Sequence, residues 1–219
     1  MATIWLVRHA ETSVPTVFHG AESDVGLSEL GRRQSAAAAD WFASRCVTAV
    51  VSSRMLRARD TAAPIAAACG VPHLIEHDLH ERRVGAMSGT SFSSEGGPWP
   101  QTIERWAAGD TAFTTPGAES FDDLNRRLVP AFAHVAAAHP GGRVVVVAHG
   151  VVCKVLLLSL LRGYGPGAWK RLGRVPNLAA SELVGDADGW TAVVLLQVPP
   201  PVAALSAGAP TGVGEKSQG

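Results

Sequence analysis

Residues 144–150 read Val144-Val145-Val146-Val147-Ala148-His149-Gly150. Four consecutive β-branched residues suit a strand, and the lack of polar alternation means that both of its faces are buried. Such a strand belongs in the middle of a parallel sheet with helices on either side. Downstream, Val151 to Leu161 continues as a buried helix interrupted only by Lys154. Upstream, Glu119 to His139 has helical periodicity and stops before Pro140-Gly141-Gly142.

The same alternation extends through the chain. Thr3 to Val7 reads as a first buried strand, and Ser28 caps a helix running to about Arg45, with Gly31 where a full capping box would need Glu or Gln. Val47 to Val51 is a second strand. Arg57 to Cys69 is an Ala-rich helix closed by Gly70 and Pro72, with Pro64 predicting a kink or an early stop. Pro72 to Ile75 is a short strand, Gln101 to Ala108 a helix, and Trp190 to Val198 a late strand. Strands alternating with helices predict an α/β protein, a layered α/β/α architecture with a mainly parallel central sheet. The catalytic domain is expected over residues 1–198, with a disordered Pro-, Gly-, Ala- and Ser-rich tail over 199–219.

Composition narrows the function. A chain of 219 residues, 47% hydrophobic, can bury one sizeable core. Lys plus Arg and Asp plus Glu each number 19, so no overall field draws it to nucleic acid or to an anionic membrane. Attraction for an anion has to be local. Cys46, Cys69 and Cys153 are odd in number and far apart, which fits a reducing cytoplasm better than a disulfide framework. The N-terminus lacks a basic region before its apolar run, and Val151 to Leu161 is too short to span a bilayer.

Both buried strands end in histidine: Arg8-His9 after the first, His149 after the valine run. Open α/β sheets collect ligands beyond the carboxyl ends of their strands, so the two imidazoles are expected in one crevice. The second strand leads into Ser52-Ser53-Arg54-Met55-Leu56-Arg57, placing Arg57 at a strand-to-helix junction beside a helix N-terminus. Two arginines and two histidines suit a phosphoryl group, since guanidinium forks bind its oxygens and positive charge stabilises its transfer. A neutral imidazole can attack phosphorus, and a nearby acid must then protonate the leaving oxygen. Glu81, in Leu79-His80-Glu81-Arg82-Arg83, is the only carboxylate of a suitable loop.

The blocks L-V-R-H-A-E-T, S-S-x-x-L-R-A-R-x-T-A, L-x-E-R-x-x-G-x-x-x-G, P-G-A-E-S and V-V-A-H-G follow one another in that order. Together they resemble the histidine phosphatase superfamily, in the branch that includes the cofactor-dependent phosphoglycerate mutases, over roughly residues 3 to 185. The resemblance implies a phosphoglycerate mutase-like fold, with His9 as nucleophile, Arg8 and Arg57 as phosphate ligands, His149 as the second histidine and Glu81 as general acid and base. Ala10 stands where the family usually has Gly, and Pro15 where it commonly has a pocket Asn; His19-Gly20 is expected to compensate in part.

Arg82, His19 and Asn177 are further candidates for substrate binding. Arg82 and Arg83 would suit a second anionic group, whereas Phe92, Trp99, Trp106 and Phe113 would suit an aromatic or nucleoside-like leaving group, and the R-H-A block leaves a phosphoprotein substrate open. Glu119 and Ser120 recur near the family's pocket, although a helix start also accounts for Ser120. His73, His77 and His80 have a spacing that invites a metal, but no second cluster joins them, and the expectation is no metal and no cofactor. Mutases of this branch grip the substrate carboxylate with a basic R-R-S-F-type stretch. Here Ser88 to Thr115 carries Ser91-Phe92-Ser93-Ser94-Glu95 and a single arginine, Arg105. That favours a phosphatase acting on a small phosphorylated metabolite over a phosphoglycerate mutase-type phosphotransferase or a non-catalytic phospho-ligand-binding member. Homodimers are common in the resembling family, which leaves a homodimer open.

Overall fold

The computed structural model describes residues 2–91, 97–186 and 189–207. Its centre is β4, Arg143–Ala148, in which every residue from Val144 to Ala148 is fully buried. Because strand side chains alternate, Val144, Val146 and Ala148 enter one apolar core and Val145 and Val147 the other. The valine run therefore holds two layers together at once. Its parallel neighbours are β1, Thr3–Arg8, and β2, Ala49–Ser53; β3, His73–Glu76, pairs in parallel with β2.

Two strands on the other side run antiparallel. β5, Ala180–Asp186, pairs with β1, and β6, Gly189–Gln197, with β5, giving the order β3-β2-β4-β1-β5-β6. The late strand is thus where its sequence predicts, whereas β5 (Ala-Ser-Glu-Leu-Val-Gly-Asp) has too little alternation to be read as a strand. It is held by pairing, and by Glu182 accepting from Arg143 of β4.

Helices cover both faces. α1, Glu29–Ala43, and α2, Leu56–Cys69, pack on the Trp5, Val7 and Val145 side. α3, Pro98–Ala107, α4, Phe121–Ala138, α5, Gly150–Leu160, and the short α6, Trp169–Leu172, take the other side. Ser28 caps α1 through Gly31 N, and Ser120 and Asp123 form a reciprocal capping box on α4. Pro64 does not stop α2, which runs on to Gly70 in the left-handed conformation.

The expected disordered tail needs correction over its first part. Pro200–Ala207 forms α7, which lies against α1, with Val202 fully buried and Gln34 Nε2 donating to Ser206 Oγ at 3.1 Å. Prolines in a first turn sacrifice no intrahelical hydrogen bond, and Val202 closes the core beneath α1. The folded unit therefore extends beyond residue 198. Residues 208–219 lie outside the described residues. No described helix is long and apolar enough to cross a membrane.

Candidate active site

β1, β2 and β4 are parallel, so their carboxyl ends deliver His9, Ser53 and His149 to one edge of the sheet. The His9 and His149 rings meet with centroids 5.2 Å apart and planes at 62°. Both are buried, at 5% and 0% exposure, so few waters compete for their nitrogens.

The tautomer of each ring follows from its partners. His9 Nδ1 lies 2.7 Å from Ala10 O, and a carbonyl can only accept, so Nδ1 carries the proton and Nε2 keeps its lone pair. The neighbouring backbone is pinned: His9 N donates to Ala148 O, Ala10 N to Thr61 Oγ1, and Asn177 Nδ2 to His9 O at 2.9 Å. Burial, then the charges of Arg8 and Arg57, hold the His9 imidazolium well below the ordinary histidine range. The ring is neutral at pH 7.

Arg57 Nε donates to His149 Nδ1 at 3.2 Å. Neutral His149 therefore carries its proton on Nε2, which donates to Ser53 Oγ at 2.9 Å. Burial, with Arg57 next, depresses this imidazole's basicity too. Arg57 is itself 2% exposed, and its terminal nitrogens donate to Ser23 O and Gly20 O, which locks the loop before α1 to the start of α2.

Arg8 donates through NH1 to Val175 O at 2.7 Å. Its buried Nε has no partner among the described residues, and a Cβ at Gly150 would lie 3.4 Å from it, so the arginine rests against the first turn of α5. Burial, then the charge of Arg174, brings its pKa down to about 10. It remains a cation at neutral pH. Glu81 follows the turn at His77–Leu79, and its charge stabilises both Arg8 and Arg57. The crevice thus joins two imidazoles, two guanidiniums and one carboxylate, an arrangement suited to receiving a phosphoryl group and exchanging a proton beside it.

Other candidates fall elsewhere. Arg82 is fully buried and does not join this group: Nε donates to Glu119 O at 2.8 Å, and the guanidinium stands 5.0 and 5.2 Å from the rings of Trp99 and Trp106. The aromatic cluster offers this planar cation a better setting than a solvated loop. Arg83 faces α4, in a depression it lines with Asp78, Asp123 and Arg126. His19 spends both ring nitrogens within its own loop, Nε2 donating to Val14 O and Nδ1 accepting from Ser23 Oγ. Asn177 supports the His9 backbone through its amide nitrogen. Glu119 pairs with Arg127, and Ser120 is a helix cap. Trp106 is fully buried and packs with Trp99 and Trp169, so it offers no ring to a ligand; Phe92 lies outside the described residues. His73 bonds Ser52 and His80 the carbonyl of Glu81, and no described group of three His, Cys, Asp or Glu residues is disposed to hold a metal.

Sequence reasoning passed over Ser53, Thr61 and Arg174. Ser53 and Thr61 lie inside the S-S-x-x-L-R-A-R-x-T-A block, but a small hydroxyl residue there gives no sign that it faces a ring or a backbone from another element.

Comparison with known proteins finds relatives over most of the chain. The family model described as histidine phosphatase superfamily (branch 1) matches residues 4–197. The bifunctional protein Rv2228c of Mycobacterium tuberculosis is 36% identical over 194 residues, covering 87% of this chain and 52% of that protein. The chain thus spans about half the length of that curated relative. A metal-independent phosphoserine phosphatase of Arabidopsis thaliana is 35% identical over 170 residues, 75% of this chain and 71% of that one. Among solved structures, a mycobacterial glucosyl-3-phosphoglycerate phosphatase in complex with inorganic phosphate superposes with a TM-score of 0.77 at 29% identity, covering 89% of this chain and 97% of that one.

Proposed function

The chain belongs to branch 1 of the histidine phosphatase superfamily, and from that premise we propose that it is a metal-independent phosphomonoester hydrolase with His9 as nucleophile. One observation carries the reading. The His9 Nδ1 proton is committed to Ala10 O, which leaves Nε2 as a lone-pair donor beside His149 and within the field of Arg8 and Arg57.

Glu81 first accepts the proton of the monoanionic phosphomonoester; Nε2 attacks phosphorus, the bond from phosphorus to the ester oxygen breaks, and that oxygen takes the proton from Glu81. The phosphoryl group then resides on His9, its oxygens held by Arg8, Arg57 and His149, whose Nε2–H turns to them from Ser53 Oγ. Water enters, gives a proton to the Glu81 carboxylate and forms the new bond to phosphorus as the bond to Nε2 breaks. Inorganic phosphate leaves with the proton that Glu81 took from water, and both residues return to their starting states. The arginines supply the positive charge that a metal would otherwise provide.

Hydrolysis is preferred to mutase transfer because Arg105, the one arginine of Ser88 to Thr115, is ion-paired with Asp110. The phosphatases among the relatives support the same choice, and suggest small phosphorylated metabolites as substrates. The test is hydrolysis of p-nitrophenyl phosphate in excess EDTA. Wild type is expected to turn over and to yield acid-labile phosphate on histidine, and His9→Ala to lose about a thousandfold or more, as expected for removal of a covalent nucleophile. Equal rates for the two proteins would overturn the reading.

A further inference from the structure

With Arg82 stacked among tryptophans and Arg83 turned to α4, neither arginine expected to grip a second anionic group on the substrate is placed to do so. Another arginine is. Residues 173–178 cross the end of β1 and are tied down almost residue by residue. Lys154 Nζ donates to Gly173 O at 2.5 Å, Arg8 NH1 to Val175 O at 2.7 Å, Asn177 Nδ2 to His9 O at 2.9 Å and Leu178 N to Arg8 O at 3.0 Å. Leu178 is held at φ +56°, a left-handed conformation that a leucine keeps only where such anchors impose it.

Arg174 sits between the first two anchors and is exposed. Among the described residues its guanidinium has neither a hydrogen bond nor an ion pair. Arg174 directly precedes Val175, whose carbonyl accepts from Arg8 NH1, in a segment also bonded to the backbone of Arg8 and His9, so it stands on the Arg8 side of the crevice, and its charge lowers the Arg8 pKa accordingly. A cation without a hydrogen bond or ion pair among the described residues, fixed beside Arg8, meets chiefly repulsion from the neighbouring guanidiniums. A ligand with more negative charge than one phosphoryl group would use it.

We propose that Arg174 is a specificity-determining residue that binds a second anionic group, a carboxylate or another phosphate, on the alcohol portion of the phosphomonoester. The inference rests on the phosphatase reading of the same crevice and adds the class of leaving group. A guanidinium fork suits either anion, and an exposed position lets it serve the leaving group while Arg8 and Arg57 serve the transferred one.

Two matched pairs test it. O-phosphoserine and O-phosphoethanolamine differ by a carboxylate; fructose 1,6-bisphosphate and fructose 1-phosphate differ by a phosphate. Wild type should favour the more anionic member of at least one pair by about tenfold or more in kcat/KM, the factor a single charge-assisted contact supplies. The pair that responds identifies which anion is used. Arg174→Ala should raise KM for that member and bring the pair towards parity, with a loss at least tenfold greater than its loss on p-nitrophenyl phosphate. Arg174→Lys should restore part of the preference. Wild-type activity on p-nitrophenyl phosphate without preference in either pair would overturn this inference alone, as would an equal loss in Arg174→Ala on all substrates. No turnover of any substrate, by wild type or His9→Ala, would overturn the phosphatase reading and this inference with it.

Discussion

At the scale of single residues, reactivity depends on where protons are parked. The hydrogen bond from His9 Nδ1 to its own neighbour's carbonyl selects the tautomer, and on His149 the pair Arg57 and Ser53 does the same from two sides. Ser53→Ala removes the acceptor of a fully buried N–H. Leaving such a group unpaired costs about 1–3 kcal/mol, so His149 will tend to turn or to admit water. The expected result is a fall in kcat of about tenfold or more with a smaller change in KM, and recovery in Ser53→Thr; steady-state kinetics and imidazole nitrogen chemical shifts check it. Glu81 makes a different prediction. General acid catalysis contributes about 10²–10⁴-fold where the leaving oxygen needs a proton. Glu81→Gln should therefore lose far more activity on an alkyl phosphate such as phosphoserine than on p-nitrophenyl phosphate, whose leaving phenolate is stable unprotonated. Equal losses on both would remove Glu81 from the acid's role.

At the scale of elements, the site is held by close approaches between segments distant in sequence. α1 begins against the backbone of Glu11: Ser28 N donates to Glu11 O, Ser28 Oγ to the Glu11 carboxylate, and Glu11 N to Gln34 Oε1. A Cβ at Gly31 would fall 2.0 Å from Glu11 O, a clash with backbone that no rotamer relieves. Gly31→Ala should cost about 1–3 kcal/mol, as overpacking does, despite the better helix propensity of alanine. Urea unfolding checks the stability, and a parallel loss of turnover would show that α1 helps to fix the segment after His9. This level also divides what sequence reveals from what it hides. Ser28, Gly70, Ser120 and the valine run are legible because capping and burial on two faces are local properties. The pairing of β5, the anchoring of residues 173–178 and the stacking of Arg82 are not, because each depends on a partner from another element. By sequence Gly31 is only an imperfect capping box, because its need for a missing Cβ arises from Glu11, a residue of another segment.

At the scale of the whole molecule, the core that gives stability also holds the two buried imidazoles neutral. The sheet carries His9 and His149 to its edge, α2 brings Arg57, residues 173–178 bond to Arg8 and His9, and Glu81 acts on both arginines through its charge. The consequence for folding has a definite sign. An unfolded histidine titrates near pH 6.5, whereas burial and the adjacent arginines hold both native rings well below that. Between those limits the unfolded chain binds protons that the native chain refuses, so native stability is complete above about pH 6.5 and declines as the medium is acidified. Thermal melting of the phosphate-free protein should show Tm falling between about pH 6.5 and 5, over and above the change in a His9→Ala, His149→Ala double variant. Inorganic phosphate should flatten the decline, because a bound anion beside the rings favours the imidazolium that burial and the arginines otherwise oppose, and because binding to the native state alone raises its stability. A Tm profile identical in wild type and double variant across that range would mean that the two rings titrate as they do in water, and would leave a neutral nucleophile without its electrostatic basis.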